Sequence, residues 1–131
     1  MKHILFVCIE NSNRSQMAQA FANMYGEGSV QAYSAGSRPS GKVNPKAIAA
    51  MKALGYDLSS HQSKSLNDLP DVLFDYAITM GCGDACPLVR AKHRADWNIP
   101  DPRDMDETAF REVRDLIGRK VKEVITEMVN E

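Results

Sequence analysis

The sequence predicts an α/β protein built on one parallel sheet with helices packed on both faces. Three observations carry this. The runs His3–Val7 (HILFV) and Tyr76–Met80 (YAITM) are continuously apolar rather than alternating, as strands buried on both faces are. The predicted elements follow in the order β–α–β–α–β–β–α, and parallel strands need such crossovers. The loops rich in polar and reactive residues each follow a strand, and open parallel sheets bind ligands beyond the carboxyl ends of their strands.

Taken in order, His3–Val7 is the first strand. Ser15–Tyr25 reads as a helix with Met17, Ala18, Phe21, Ala22 and Tyr25 on one face, closed by Gly26 and Gly28. Val30–Ser34 is a second strand, and Ala35-Gly36 ends it. A second helix starts at Pro45 with Asn44 as its cap, buries Ala47, Ile48, Met51 and Leu54, and stops at Gly55. Asp57–Ser65 is polar, and Leu66–Leu69 suits a short helical turn before Pro70. Tyr76–Met80 is the third strand, and a short fourth strand falls within His93–Ile99. Met105–Val129 is a long amphipathic helix with Phe110, Val113, Ile117, Val121, Val124 and Met128 on its apolar face; Gly118 is a mild weakness in it. Met17, Met51, Met80 and Met128 fit core positions, and Trp97 fits packing beside the last loop.

The 131 residues suit one domain spanning 1–131, and the 44% hydrophobic and 25% charged content is ordinary for a globular chain. A net charge of −1 points away from nucleic acid and membrane surfaces. No apolar run approaches the roughly 20 residues of a membrane span. Met1–Val7 is too short for a signal peptide, so a cytoplasmic setting with reduced thiols is expected. Monomer is the default oligomeric expectation. The odd cysteine count, Cys8, Cys82 and Cys86, argues against a structural disulfide framework.

The chemistry concentrates at Cys8-Ile9-Glu10-Asn11-Ser12-Asn13-Arg14-Ser15, a loop between the first strand and the first helix. Backbone N–H groups at a helix N-terminus favour an oxyanion, and the same field favours a thiolate at Cys8. The Arg14 fork can hold two oxyanion oxygens at once. Ser15 can donate to the Cys8 sulfur, and the Asn11 amide can brace the loop. Ile9, Glu10, Asn11, Ser12, Asn13, Arg14 and Ser15 are thus the candidate substrate-binding residues, with Cys8 the nucleophile. No second Cys or His close in sequence suits a metal at Cys8. Arg38 and Lys42, in the next loop, either add positive field or are simply solvated. His3, His61 and His93 are scattered and suit structural or exposed roles. The Gly81–Pro87 loop (GCGDACP) carries Cys82 and Cys86, readable as two packed thiols, half a zinc site or a redox pair.

The stretch VCIENSNRSQMA resembles the C-x5-R-S loop of the low-molecular-weight protein tyrosine phosphatase superfamily. The likeness continues through YSAG (Tyr33–Gly36), VNPKAIAAM, GYDLSSHQS and Asp101-Pro102, and so covers almost the whole chain. NSNRSQMA, the three cysteines and TMGCGDACP are similar to the arsenate reductase branch. The resemblance implies a flavodoxin-like three-layer α/β/α fold around a four-stranded parallel sheet. It also implies that Asp101 is the general acid, and that Cys82 and Cys86 continue a thiol relay from Cys8. Arg103 and Asp104 stand where phosphatases of the family carry aromatic residues. The C-x3-C spacing is shorter than in many thioredoxin-coupled members. Some reductases hold potassium with the loop Asn, the YSAG serine and two acidic residues. Asn11 and Ser34 match, but Gln19 and Lys64 occupy the acidic positions, so Lys64 would supply the cation itself and no metal is expected.

The implied activity is reduction of arsenate, with phosphate as an analogue and no tightly bound cofactor. An external thiol reductant is required: thioredoxin first, with glutaredoxin or a low-molecular-weight thiol as alternatives. The rival readings are a phosphatase acting on phosphotyrosine or a small phosphomonoester through Cys8, Arg14 and Asp101, and a non-enzymatic oxyanion or arsenite sensor.

Overall fold

The computed structural model describes residues 1–81 and 89–130. Its elements are β1 (Lys2–Cys8), α1 (Arg14–Tyr25), β2 (Val30–Gly36), α2 (Pro45–Lys52), β3 (Phe74–Thr79), β4 (Ala91–Asp96) and α3 (Glu107–Asn130), with 3-10 turns at Leu58–Ser60 and Leu66–Asp68. The four strands form one sheet in the order β2-β1-β3-β4, parallel throughout. The chain runs from β1 outward to β2, then crosses back to β3 on the other side. The strand order therefore reverses beside β1, the place where such sheets open a crevice. The register brings the strand ends level: Cys8 pairs with Gly36, Val7 with Thr79, and Thr79 with Asp96.

Alternation along β1 divides the core. Ile4, Phe6 and Cys8 face one side with Met17 and Phe21 of α1, Met51 of α2 and Ile117 of α3. Leu5 and Val7 face the other with Ala35 and Phe74, packed by Leu66, Leu69 and Val72. Met17, Met51, Met80 and Met128 are all fully buried, as expected. Asn44 caps α2 by accepting from the Lys46 N–H at 2.9 Å, with Pro45 in the first turn. No helix among the described residues is long and apolar enough to cross a membrane.

Several boundaries differ from the expected ones, each for a local reason. The second helix ends at Lys52, because the chain turns through Gly55 at φ +85°, so Leu54 is exposed rather than on the apolar face. Tyr25, at the last turn of α1, is also exposed and only stacks on Phe21 at 5.8 Å. The fourth strand starts earlier, at Ala91, and ends before Trp97. It is an edge strand with one neighbour, so its exposed, charge-rich residues are compatible with it and discourage further pairing. The last helix begins at Glu107, where Asp106 Oδ1 accepts the Ala109 N–H at 2.8 Å. Gly118 is a packing contact rather than a weakness: a Cβ there would lie 3.0 Å from the Phe21 ring. The segment expected to be merely polar holds a 3-10 turn whose Leu58 is fully buried.

Candidate active site

The loop from Ile9 to Asn13 leaves the end of β1 and delivers the chain into α1. Its carbonyls are taken from outside. Ile9 O accepts from Arg38 N–H at 2.8 Å, Glu10 O from Ser40 N–H at 3.1 Å, and Ser12 O from Asn44 N–H at 3.0 Å. Each trans peptide opposes its C=O and N–H, so the N–H groups of Glu10, Asn11 and Asn13 point away from those partners, on a loop whose Ile9, Glu10, Ser12 and Asn13 line a crevice. That is an anion cradle at a helix N-terminus. Gly36 lets β2 lie against it, since a Cβ there would fall 2.5 Å from Ile9 O.

A chain of directed hydrogen bonds ends on the nucleophile. Lys64 N–H donates to Asn11 Oδ1 at 2.9 Å, which fixes the amide. Asn11 Nδ2 then donates to Ser15 Oγ at 2.7 Å, and the Ser15 hydroxyl is left to donate to Cys8 Sγ at 2.8 Å. Asn11 sits at φ +50°, a left-handed conformation that Asn tolerates better than most residues.

Arg14 is pinned on one side. Its Nη1 donates to Met80 O at 2.6 Å and Ile99 O at 3.0 Å, which commits both Nη1 hydrogens. Among the described residues, Nε–H and Nη2 make no hydrogen bond, and they are the faces available to an oxyanion. Gly81, at φ +84°, follows Met80; a Cβ there would meet Arg14 Nη1 at 3.1 Å. Asp101 comes from the loop after β4. Its Oδ1 accepts from Arg103 N–H at 3.1 Å, leaving Oδ2 beside Arg14 Nη2 at 4.0 Å. Together they enclose a cavity of about 330 Å³ with Cys8 and Arg14 at the base and Asp101 on the wall. Ile9, Glu10, Ser12, Asn13, Arg38 and Arg103 complete the lining among the described residues, and Lys42 is not part of it.

The structure therefore brings Cys8, Arg14, Ser15, Asp101 and the 9–13 loop together. Cys82 and Cys86 lie outside the described residues. Lys64 meets Asn11 through its backbone N–H, and Ser34 Oγ donates to Gln19 Oε1 at 2.5 Å.

Sequence reasoning missed the support beneath the loop. Gln16 is fully buried, and its Nε2 lies within 3.1 Å of Asn11 O, Asn11 Oδ1 and Gln62 O. Three carbonyl acceptors fix its amide, so Oε1 must accept from His61 Nδ1–H at 3.0 Å. His61 Nε2 is then the acceptor for Tyr56 OH at 2.6 Å, and Tyr56 in turn accepts from Asn23 Nδ2 at 2.9 Å. The arrangement is satisfied by a neutral imidazole. Burial lowers the His61 pKa from 6.5, the Lys64 charge lowers it further, and Asp57 opposes them. The available signal was a glutamine in the first turn of a helix whose neighbours are all core, but nothing in the spacing named its partners.

The chain is similar to known proteins over nearly its whole length. The family description "low molecular weight phosphotyrosine protein phosphatase" matches residues 3–131. A glutaredoxin arsenate reductase of Synechocystis is 35% identical over 98% of this chain and 99% of that protein. A solved arsenate reductase in a phosphate-binding state superposes with a TM-score of 0.88 at 34% identity, covering 98% of this chain and 99% of that one. A thioredoxin-dependent arsenate reductase of Corynebacterium glutamicum superposes with a TM-score of 0.81 at 32% identity, over 98% of this chain and 62% of that one.

Proposed function

The chain belongs to the low molecular weight phosphotyrosine protein phosphatase family and is an arsenate reductase, and from that premise we propose that Cys8, Cys82 and Cys86 form its electron relay. The observation that carries the first step is the directed chain Lys64–Asn11–Ser15 ending on Cys8 Sγ inside an N–H cradle. What supports the next step is connectivity: Cys82 is bonded directly to Gly81, whose backbone lies against Arg14.

Arsenate binds with its oxygens on the loop N–H groups and on Arg14 Nε and Nη2. The Cys8 thiolate attacks arsenic, an As–O bond breaks, and Asp101 protonates the departing hydroxide to water. The Cys82 thiolate then attacks Cys8 Sγ. The S–As bonding pair stays on arsenic, which leaves as arsenite two electrons richer, and a Cys8–Cys82 disulfide forms. Cys86 attacks Cys82, frees the Cys8 thiolate and leaves a Cys82–Cys86 disulfide for an external dithiol. Phosphate stops after the first half, because thiols do not reduce it. The same half-reaction would give a residual phosphomonoesterase activity.

The reductant is a small dithiol protein of the thioredoxin or glutaredoxin kind, and the enzyme works as a cytoplasmic monomer without a bound cofactor. The Ser34–Gln19 hydrogen bond supports independence from potassium, so exchanging sodium for potassium leaves turnover unchanged. The test is NADPH consumption with arsenate, coupled through thioredoxin and through glutaredoxin side by side, in wild type and in Cys8→Ser, Cys82→Ser and Cys86→Ser. All three variants lose multiple turnover, and Cys86→Ser completes one. Arsenate turnover that survives Cys82→Ser removes the relay. A wild type that hydrolyses p-nitrophenyl phosphate but never reduces arsenate marks a phosphatase instead.

A further inference from the structure

Two partly exposed residues of the cavity lining form an ion pair that the chemistry above does not use. Arg103 Nη1 lies 3.4 Å from Glu10 Oε1 and 3.2 Å from Glu10 Oε2. Glu10 belongs to the anion-binding loop and Arg103 to the acid loop, so the pair ties opposite walls at the rim. We propose that this Glu10–Arg103 strap is a specificity device, one that admits a bare tetrahedral oxyanion and disfavours its aryl ester. It rests on reading this pocket as the arsenate site.

Three features support it. An anion seated on the loop N–H groups and Arg14 directs its fourth oxygen outward, so the ring of an ester must pass the rim. Among the described residues the lining offers that ring no aromatic wall, and Ile9 is its one aliphatic side chain. The ring would instead displace or desolvate the charged pair. The Arg103 backbone is held independently: its N–H donates to Asp101 Oδ1, and its carbonyl accepts from Lys46 Nζ at 3.1 Å. The side chain can therefore be altered while the acid loop keeps both tethers.

The charges also give each partner a separate signature. Glu10 places a negative charge beside an anion site, and Arg103 offsets it. Losing Glu10 should tighten every anion, and losing Arg103 should weaken every anion. The ratio between two anions of equal charge cancels this term and reports the strap alone, so the two phosphates are compared at a mildly alkaline pH where both are dianions. Both side chains are partly exposed, Arg103 at 55% and Glu10 at 41%, so salt screens the pair.

The experiment measures protection of Cys8 from iodoacetamide, read by mass spectrometry of its peptide, with inorganic phosphate and with phenyl phosphate. Wild type is expected to be protected by phosphate at concentrations about tenfold below those of phenyl phosphate, and Glu10→Gln or Arg103→Gln to narrow this to about threefold, the size an exposed pair can supply. The reversed pair, Glu10→Arg with Arg103→Glu, should widen the ratio again, and high salt should narrow it in wild type. An equal ratio in wild type and both single variants overturns the proposal, as does a reversed pair that behaves like the single variants. A wild type that fails to reduce arsenate but keeps this pattern removes the reductase reading and not the strap.

Discussion

The 9–13 loop of the oxyanion pocket is braced from beneath by buried, neutral hydrogen bonds, whereas the pocket's rim carries partly exposed charges. Beneath the loop, Gln16 joins Asn11, Gln62 and His61, and Tyr56 and Asn23 complete the network. At the rim, Arg103 meets Glu10, and the half-exposed Asp101 stands on the wall 4.0 Å from the buried Arg14. The difference follows the reaction. The cradle must keep one geometry so that no reorganisation is needed when arsenate binds. The rim must let an ion enter and a product leave, and partly exposed charges in water cost little to separate. The bracing beneath the loop should therefore couple activity to stability, and the rim should carry activity alone.

The largest expected effect separates the two at once. Asp101→Asn should lower the rate by about 10²- to 10⁴-fold, the range for loss of a general acid, and leave stability within about 0.5 kcal/mol. Matched p-nitrophenyl phosphate kinetics and thermal melts check this; a destabilised variant would place Asp101 in the scaffold. Gln16→Leu should do the reverse. It leaves Asn11, Gln62 and His61 without their buried partner, so urea denaturation should show a loss of about 2–4 kcal/mol, with weaker activity alongside. Unchanged stability would mean that the loop is not held by this network.

A smaller effect sharpens the comparison through pH. The folded-state pKa of His61 is lowered from 6.5 by burial first and by Lys64 second. A depressed histidine contributes stability that is full above about 6.5, falls as pH drops below that value, and is gone below the folded-state pKa. Denaturation midpoints should therefore fall between about pH 7 and about pH 5, more steeply in wild type than in His61→Ala. Equal slopes would remove His61 as the titrating group. The smallest effect is at the rim: Glu10→Gln and Arg103→Gln should each move stability by less than about 0.5 kcal/mol. A larger loss would make the strap structural.

The same contrast explains what the sequence made legible. The strand cores declared themselves by continuous apolar runs, and Cys8, Arg14 and Ser15 by their place between a strand and a helix. Asp101 needed the family likeness, because Asp-Pro alone is a common turn. Gln16 and His61 are 45 positions apart and meet through uncharged groups, which leave no period and no charge pattern to read. Glu10 and Arg103 are each ordinary surface charges until the fold brings them together across 93 positions. Leu54 misled because helical periodicity says which face is apolar but not where the helix stops. Gly118 misled because propensity ignores what packs against it, here the Phe21 ring.

The central claim is that the oxidation left on Cys8 passes through Cys82 to Cys86, with electrons moving the opposite way, toward arsenate. Disulfide mapping by mass spectrometry after one equivalent of arsenate, without external reductant, tests it most directly. Wild type should carry a Cys82–Cys86 disulfide with Cys8 again reduced, and Cys86→Ser should stop at Cys8–Cys82. Arsenite released while Cys82 stays reduced would contradict the account.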